Sequence, residues 1–294
     1  MRLVSSAGDA IDLPPGHRFP SGKYPAITAA LAREHPDLVA EAAQASWEDL
    51  GLVHDAAWLA AVRAGLDDAS ARRLGFPWSE SLVTRARRSV GGTLAALAWA
   101  LAEGAAGHMA GGTHHAFRDR GEGFCVFNDL AVAVAVARRD HGIRRIAIVD
   151  LDVHQGNGTA ALLGADPEVF TLSLHGAHNY PFKKLASTLD VPLPDGCEDA
   201  SYLRALDRAL EQVAAQQPEL LLYQAGVDAL RGDRFGRLAL THAGLRARDA
   251  RVYALGRRLG VPLVVTLGGG YHRDIDATVA AHVAVYLGLV VALG

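Results

Sequence analysis

The chain has 294 residues, half of them apolar, with a formal net charge of −3. That is enough to bury a large core, and there is no basic excess to meet nucleic-acid phosphates, so nucleic acid is not an expected partner. Two cysteines, Cys125 and Cys197, have neither metal-ligand spacing nor the density of a disulfide scaffold, and the opening MRLVSSAGDAIDLPPG lacks the blocks of a secretory signal, which points to a reducing cytoplasm.

In chain order, the pattern predicts a helix over 78–103, a short strand beginning at Gly107 in GHMAGGTHHA and running into a loop, and a helix over 128–139. The run RIAIVDLD predicts a strand over 145–152, and VFTLSLH a second over 169–175. A helix follows over 199–216, a strand over 219–226 (ELLLYQAG), a helix over 241–259 and a strand over 261–270 (VPLVVTLGGG). The last segment, 279–293, is almost wholly apolar but short for a membrane span and interrupted by His282; it reads as a buried C-terminal helix, with no membrane partner expected. No repeat or linker divides the chain. Apolar strands alternating with helices give one α/β domain over 1–294, an open, mostly parallel sheet with helices on both faces.

Polar residues gather where these strands end. His114-His115, Asp150, Asp152, His154, His175, Asp228 and the run Gly268-Gly269-Gly270-Tyr271 all lie at or just past carboxyl ends, the edge where open α/β sheets bind ligands. Taken singly each has an ordinary reading. Adjacent histidines occur in loops, Asp228 could cap a helix, and GGGY could be a turn. Their joint placement favours a site. In IVDLDVHQGNG, strand alternation puts Asp150, Asp152 and His154 on one face, and two carboxylates crowded with an imidazole need a cation. Asp152, His154 and Asp228 offer one nitrogen and two carboxylate oxygens, leaving a position open for water, as catalytic zinc requires; iron, cobalt or manganese also suit these ligand types.

HMAGGTHHAFRDRGEGFCVFND, IVDLDVHQGNGTA, LSLHGAHNYPF, YQAGVDALRGDRFGRLALT and TLGGGY, in this order, resemble the zinc-dependent histone deacetylase superfamily of the arginase/deacetylase fold, from about Arg18 almost to the C-terminus. VHQGNG, HGAHNYPF and GDRFGRLALT resemble its class IV branch and bacterial relatives. The resemblance implies that Asp152, His154 and Asp228 hold zinc. It makes His115 the general base, held by Asn157, and His114 its electrostatic or proton-donating partner, oriented by Asp150. Tyr271 is implied to stabilise the oxyanion, while Gly269 and Gly270 let the backbone come close. It further implies that Phe124, with Gly123, and Tyr180 wall an acyl-lysine tunnel, and that Asp150, Asp152, His154, Ser173 and Leu174 hold a structural potassium.

The implied activity is removal of an acyl group, acetyl or a longer fatty acyl, from the ε-amine of lysine in proteins. The alternatives are an acetylpolyamine or other small-molecule amide deacetylase and a catalytically silent acyl-lysine-binding scaffold. A silent scaffold should have lost a ligand, His115 or Tyr271, and all are present. A polyamine enzyme needs an acid at the tunnel mouth, for which Glu80 and Glu122 are available. The two-metal chemistry of the arginase group needs a carboxylate two residues beyond the histidine, and that position is Gly156. Cys125, in the apolar run GFCVF, reads as core filling rather than a nucleophile.

Overall fold

The computed structural model describes residues 1–8 and 11–294. Eight strands form one sheet: β1 (Arg2–Ser5), β2 (Val39–Glu41), β3 (Ala105–His108), β4 (Ile146–Asp150), β5 (Val169–Gly176), β6 (Leu189–Leu193), β7 (Leu220–Gln224) and β8 (Leu263–Thr266). Their order is β2-β1-β3-β8-β7-β4-β5-β6, and every ladder is parallel. The helices are α1 (Lys23–Glu34), α2 (Trp47–Gly51), α3 (Ala56–Ala64), α4 (Asp68–Leu74), α5 (Glu80–Glu103), α6 (Asp129–His141), α7 (Asn157–Leu163), α8 (Asp199–Ala215), α9 (His242–Leu259) and α10 (Ile275–Leu293).

Why the strands read as unbroken apolar runs is visible in how their side chains divide. Ala147, Val149, Leu221, Tyr223, Leu263 and Val265 join a core with residues of α1, α8, α9 and α10. The intervening Ile146, Ile148, Leu220, Leu222 and Val264 join a second core with residues of α3, α5 and α6. Alternate side chains enter opposite cores, so a sheet covered on both faces needs apolar residues at every position. Helix starts follow local chemistry: Ser79, Asn128 and Thr241 each accept a backbone N–H from the first turn of α5, α6 and α9.

Where the sequence predicts strands over 145–152, 219–226 and 261–270, the structure ends them at Asp150, Gln224 and Thr266. The residues beyond belong to irregular loops at the carboxyl edge. β3 starts at Ala105 and ends at His108, so most of GHMAGGTHHA is loop. β3, β8, β7 and β4 are consecutive neighbours, which brings the loops after these four strands together. The C-terminal helix α10 packs along α1 and α9, burying His282, Val285, Tyr286 and Leu289, but Val291 is 88% exposed. It is buried on one face rather than throughout; by length and composition alone it is also the one helix among the described residues apolar enough to cross a membrane.

A buried histidine pins the first turn of α6 and makes stability pH-dependent. His54 donates from Nδ1 to Phe117 O (2.9 Å) and accepts from Asn128 N at Nε2 (3.0 Å), so both ring nitrogens are committed in the neutral form. Burial lowers its pKa from 6.5 to about 4. Between those values the unfolded chain binds more protons than the native state. Stability is therefore complete above pH 6.5 and declines by up to about 3 kcal/mol as pH falls toward 4. Thermal melts across this window should show a shallower decline for His54→Gln than for the parent chain; an unchanged slope contradicts the assignment.

Candidate active site

The DxDxH segment converges by a route other than pleating. β4 stops at Asp150, and each following turn is set by a carboxylate that caps the backbone two residues on: Asp152 N donates to Asp150 Oδ1 (3.1 Å) and His154 N to Asp152 Oδ1 (3.0 Å). Asp150 then points away from the other two, its Oδ2 taking His114 Nδ1 at 2.6 Å. Asp152 and His154 instead meet Asp228, from the loop after β7. His154 Nδ1 lies 2.9 Å from Asp152 Oδ1 and 3.1 Å from Asp228 Oδ2.

Backbone donors hold the outer oxygens of this trio: Gly269 N reaches Asp152 Oδ2 (2.6 Å) and Val153 N reaches Asp228 Oδ1 (2.9 Å). Asp228 Oδ2 is fully buried and makes no hydrogen bond, because His154 Nδ1, although only 3.1 Å away, is given to Asp152 Oδ1. A buried carboxylate oxygen left without a donor is expensive unless a cation meets it. Burial and the neighbouring Asp152 push the Asp228 carboxyl up to about 7. Burial opposes charging of His154, but the carboxylates of Asp152 and Asp228 beside its ring outweigh this and raise it to about 10. One donor atom from each of the three residues falls within 4.8 Å of the others, a cluster fit for a metal ion. Gly269 closes it: a Cβ there would stand 1.9 Å from Asp228 Oδ2.

The histidine pair sits beside this cluster. His114 and His115 face each other through their Nε2 atoms at 3.1 Å, and His115 Nδ1 is 2.7 Å from Asn157 Oδ1. Burial works against charging His114, yet Asp150 and Asp152 hold its pKa above the ordinary value. Burial, with positive charge on His114 and His154, holds His115 well below it. Asn157 Nδ2 donates to Glu122 Oε1 (3.1 Å), and the Tyr180 hydroxyl donates to the same oxygen. Glu122 is thus committed to Asn157 and Tyr180, and Glu80 is exposed at the start of α5; neither lines the cavities of the site.

Tyr271 is anchored through its backbone N–H to Asp233 Oδ2 (2.6 Å) and packs its ring on Phe235 with centroids 4.9 Å apart. Burial keeps its hydroxyl protonated, well above the usual phenol range. An inner cavity of about 80 Å³ is lined by Thr113, His114, Gly123, Asp152 and Gly269 among others, and an outer one of about 510 Å³ by Tyr180 and Asn179 among others; His115, Phe124, His154 and Tyr271 wall both. Phe124 has φ +67°, a left-handed backbone rare for a bulky residue, fixed by its N–H bond to Leu74 O (2.8 Å). Gly270 lines neither cavity; its carbonyl accepts from Lys23 instead (3.4 Å). Ser173 pairs with Asp150 in the β4–β5 ladder and contacts His175 Nδ1 through Oγ (3.0 Å), with Leu174 buried beside it. Cys125 is buried against the inner cavity, and burial raises its thiol far out of reach of ionisation, as core filling requires.

Three supporting residues carry no local signal in the sequence. Lys23, fully buried on α1, donates to Gly268 O (3.3 Å) and Gly270 O under the Tyr271 loop. Asp129, at the start of α6, accepts from Gly112 N (2.9 Å), Thr113 N (2.7 Å) and the Thr113 hydroxyl (2.7 Å), fixing the loop that carries the histidines. Buried Arg248 holds Gly226 O (2.5 Å) beneath the Asp228 loop.

Comparison with known proteins agrees with this geometry. The chain is 41% identical over 275 residues to an uncharacterised protein of Picosynechococcus, covering 92% of each. It is 33% identical over 278 residues to histone deacetylase 2 of Arabidopsis thaliana, covering 90% of this chain and 72% of that one. The fold superposes on the crystal structure of a histone deacetylase homologue from Aquifex aeolicus with TM-score 0.83 and 25% identity, over 98% of this chain and 83% of the other. The histone deacetylase domain matches residues 17–287, and the chain belongs to that hydrolase family.

Proposed function

We propose that the protein is a zinc-dependent amidohydrolase that removes acyl groups from the ε-amine of lysine in proteins. The observation that carries this reading is the buried trio of Asp152, His154 and Asp228, with an oxygen of Asp228 left without a donor, placed between a histidine pair and a tyrosine at the junction of two cavities. These residues would hold the metal, which supplies Lewis acidity to water and to the acyl carbonyl.

The chain's own groups divide the remaining work. With the Nδ1–H of His115 given to Asn157, its Nε2 lone pair is free to take a proton from the attacking water. His114, with Nδ1–H given to Asp150, faces that nitrogen across 3.1 Å, so the proton His115 takes from water is then held between the two imidazoles. That proton is available to the departing amine. The Tyr271 hydroxyl donates to the oxygen on which negative charge develops, and its anchorage by Asp233 and Phe235 fixes it in advance. Phe124 and Tyr180 offer aromatic walls to the apolar stem of lysine. The β4–β5 ladder, which sets Ser173 opposite Asp150, supports a structural potassium held by Asp150, Asp152, His154, Ser173 and Leu174. The inner cavity, about 80 Å³ and partly walled by Phe19, Phe76 and Leu82, suits an acetyl group and a few further carbons better than a long fatty chain.

Zinc-loaded enzyme offered acetyl-, decanoyl- and myristoyl-lysine peptides should show its highest kcat/KM on acetyl; a preference for myristoyl contradicts the cavity argument, and no turnover of any acyl-lysine contradicts the function. Tyr271→Phe should lower kcat on the order of 100-fold with metal content unchanged, since it removes a transition-state donor and no ligand. Gly269→Ala should instead weaken metal affinity at least about tenfold in chelator competition, because the added methyl displaces Asp228.

A further inference from the structure

The outer cavity is basic, although the chain as a whole carries net charge −3. Arg18, Arg73, Arg234, Arg237 and His178 line it, and no aspartate or glutamate does. All five are exposed. Arg237 and His178 share Asp195, each at 3.2 Å. Arg234 spends its guanidinium on backbone carbonyls, Tyr271 O at 3.0 Å and Arg18 O at 3.4 Å, and Arg18 and Arg73 make no ion pair among the described residues. The acids near the rim are already engaged. Glu122 is held by Tyr180 and Asn157, and Asp233 accepts from the backbone N–H groups of Tyr271, Phe235 and Gly236.

We propose that this rim selects acyl-lysine lying between acidic residues of a peptide. The inference rests on the deacylase reading and names its substrate class. The guanidinium groups of Arg18, Arg73 and Arg234, with no carboxylate in an ion pair with them among the described residues, are set around a cleft with apolar walls, an arrangement that focuses a positive potential outward and raises the local concentration of anionic substrate. The charge change of the reaction fits the same arrangement. The acylated side chain enters neutral, and the lysine released is a cation that the rim repels. A polyamine brings a second ammonium to the same mouth, where no free acid meets it. Phe182, 87% exposed and 6.3 Å from the Tyr180 ring, adds an apolar edge against which a peptide can lie.

The test uses the full chain loaded with zinc and acetyl-lysine peptides of one length with aspartate, glutamine or lysine at the flanking positions, together with N-acetylputrescine. The acidic peptide should exceed the basic one in kcat/KM by about tenfold, through KM, and the ratio should shrink in about 0.5 M salt. In the double variant R18Q/R73Q the ratio should approach unity. Anisotropy of labelled peptides on the Tyr271→Phe variant, with turnover slowed, reads the same order as binding. Equal kcat/KM for all flanks, or a ratio unchanged in the double variant, overturns the rim proposal and leaves the deacylase reading intact; acetylputrescine outrunning the acidic peptide overturns the rim proposal and the protein-lysine reading together. Charge-ordered binding with no hydrolysis supports the rim and sinks the deacylase reading. Neither turnover nor charge-ordered binding sinks both.

Discussion

Concentrated buried charge is the constraint around which this molecule is arranged. Asp150, Asp152 and Asp228 are all withdrawn from water within the space of one loop cluster, alongside His114, His115 and His154. Isolated carboxylates do not survive such burial; each must be protonated, paired, or met by a cation. Asp150 is paired by His114, and the outer oxygens of Asp152 and Asp228 by backbone N–H groups of Gly269 and Val153. What remains among these carboxylates is Asp228 Oδ2, which makes no hydrogen bond because the imidazole beside it is spent on Asp152. A site that leaves one orphaned oxygen beside an imidazole, and forbids even a methyl group at Gly269, is shaped for an ion.

The fold supplies that concentration by topology. β3, β8, β7 and β4 lie side by side although they come from distant parts of the chain, so four loops emerge at one edge. Each contributes its own groups: His114 and His115 after β3, Asp152 and His154 after β4, Asp228 after β7, and the glycines with Tyr271 after β8. The two cores, one on each face, pack these strands from both sides and so position the loops they carry. Lys23, Asp129 and Arg248 complete the support from below by satisfying carbonyl and amide groups that the loops leave unpaired.

Much of this is legible in the sequence, and the parts that are not have physical reasons. Apolar runs such as IAIVD and LLLYQ announce buried parallel strands because alternate residues feed both cores. The convergence of Asp152 and His154 is legible in DxDxH, but strand alternation is the wrong cause; the turns are made by carboxylates bonding to the backbone, and Asp150 leaves the group to hold His114. Glu122 shows the limit of reading acids by composition, since its role depends on Asn157 and Tyr180 closing on it from other loops. Lys23 is invisible for the same reason, its partners Gly268 and Gly270 lying far along the chain. Gly270 reads as backbone presented to a ligand, yet its carbonyl turns to that lysine instead.

Metal stoichiometry tests the central claim most directly. Elemental analysis of the chain after equilibration with zinc and removal of loosely bound ion should give about one zinc per chain, falling close to zero in Asp228→Asn, which keeps the side-chain shape and removes the charge. Two ions per chain at this site, no retained ion, or full retention in Asp228→Asn would contradict a single-metal centre built on the orphaned carboxylate.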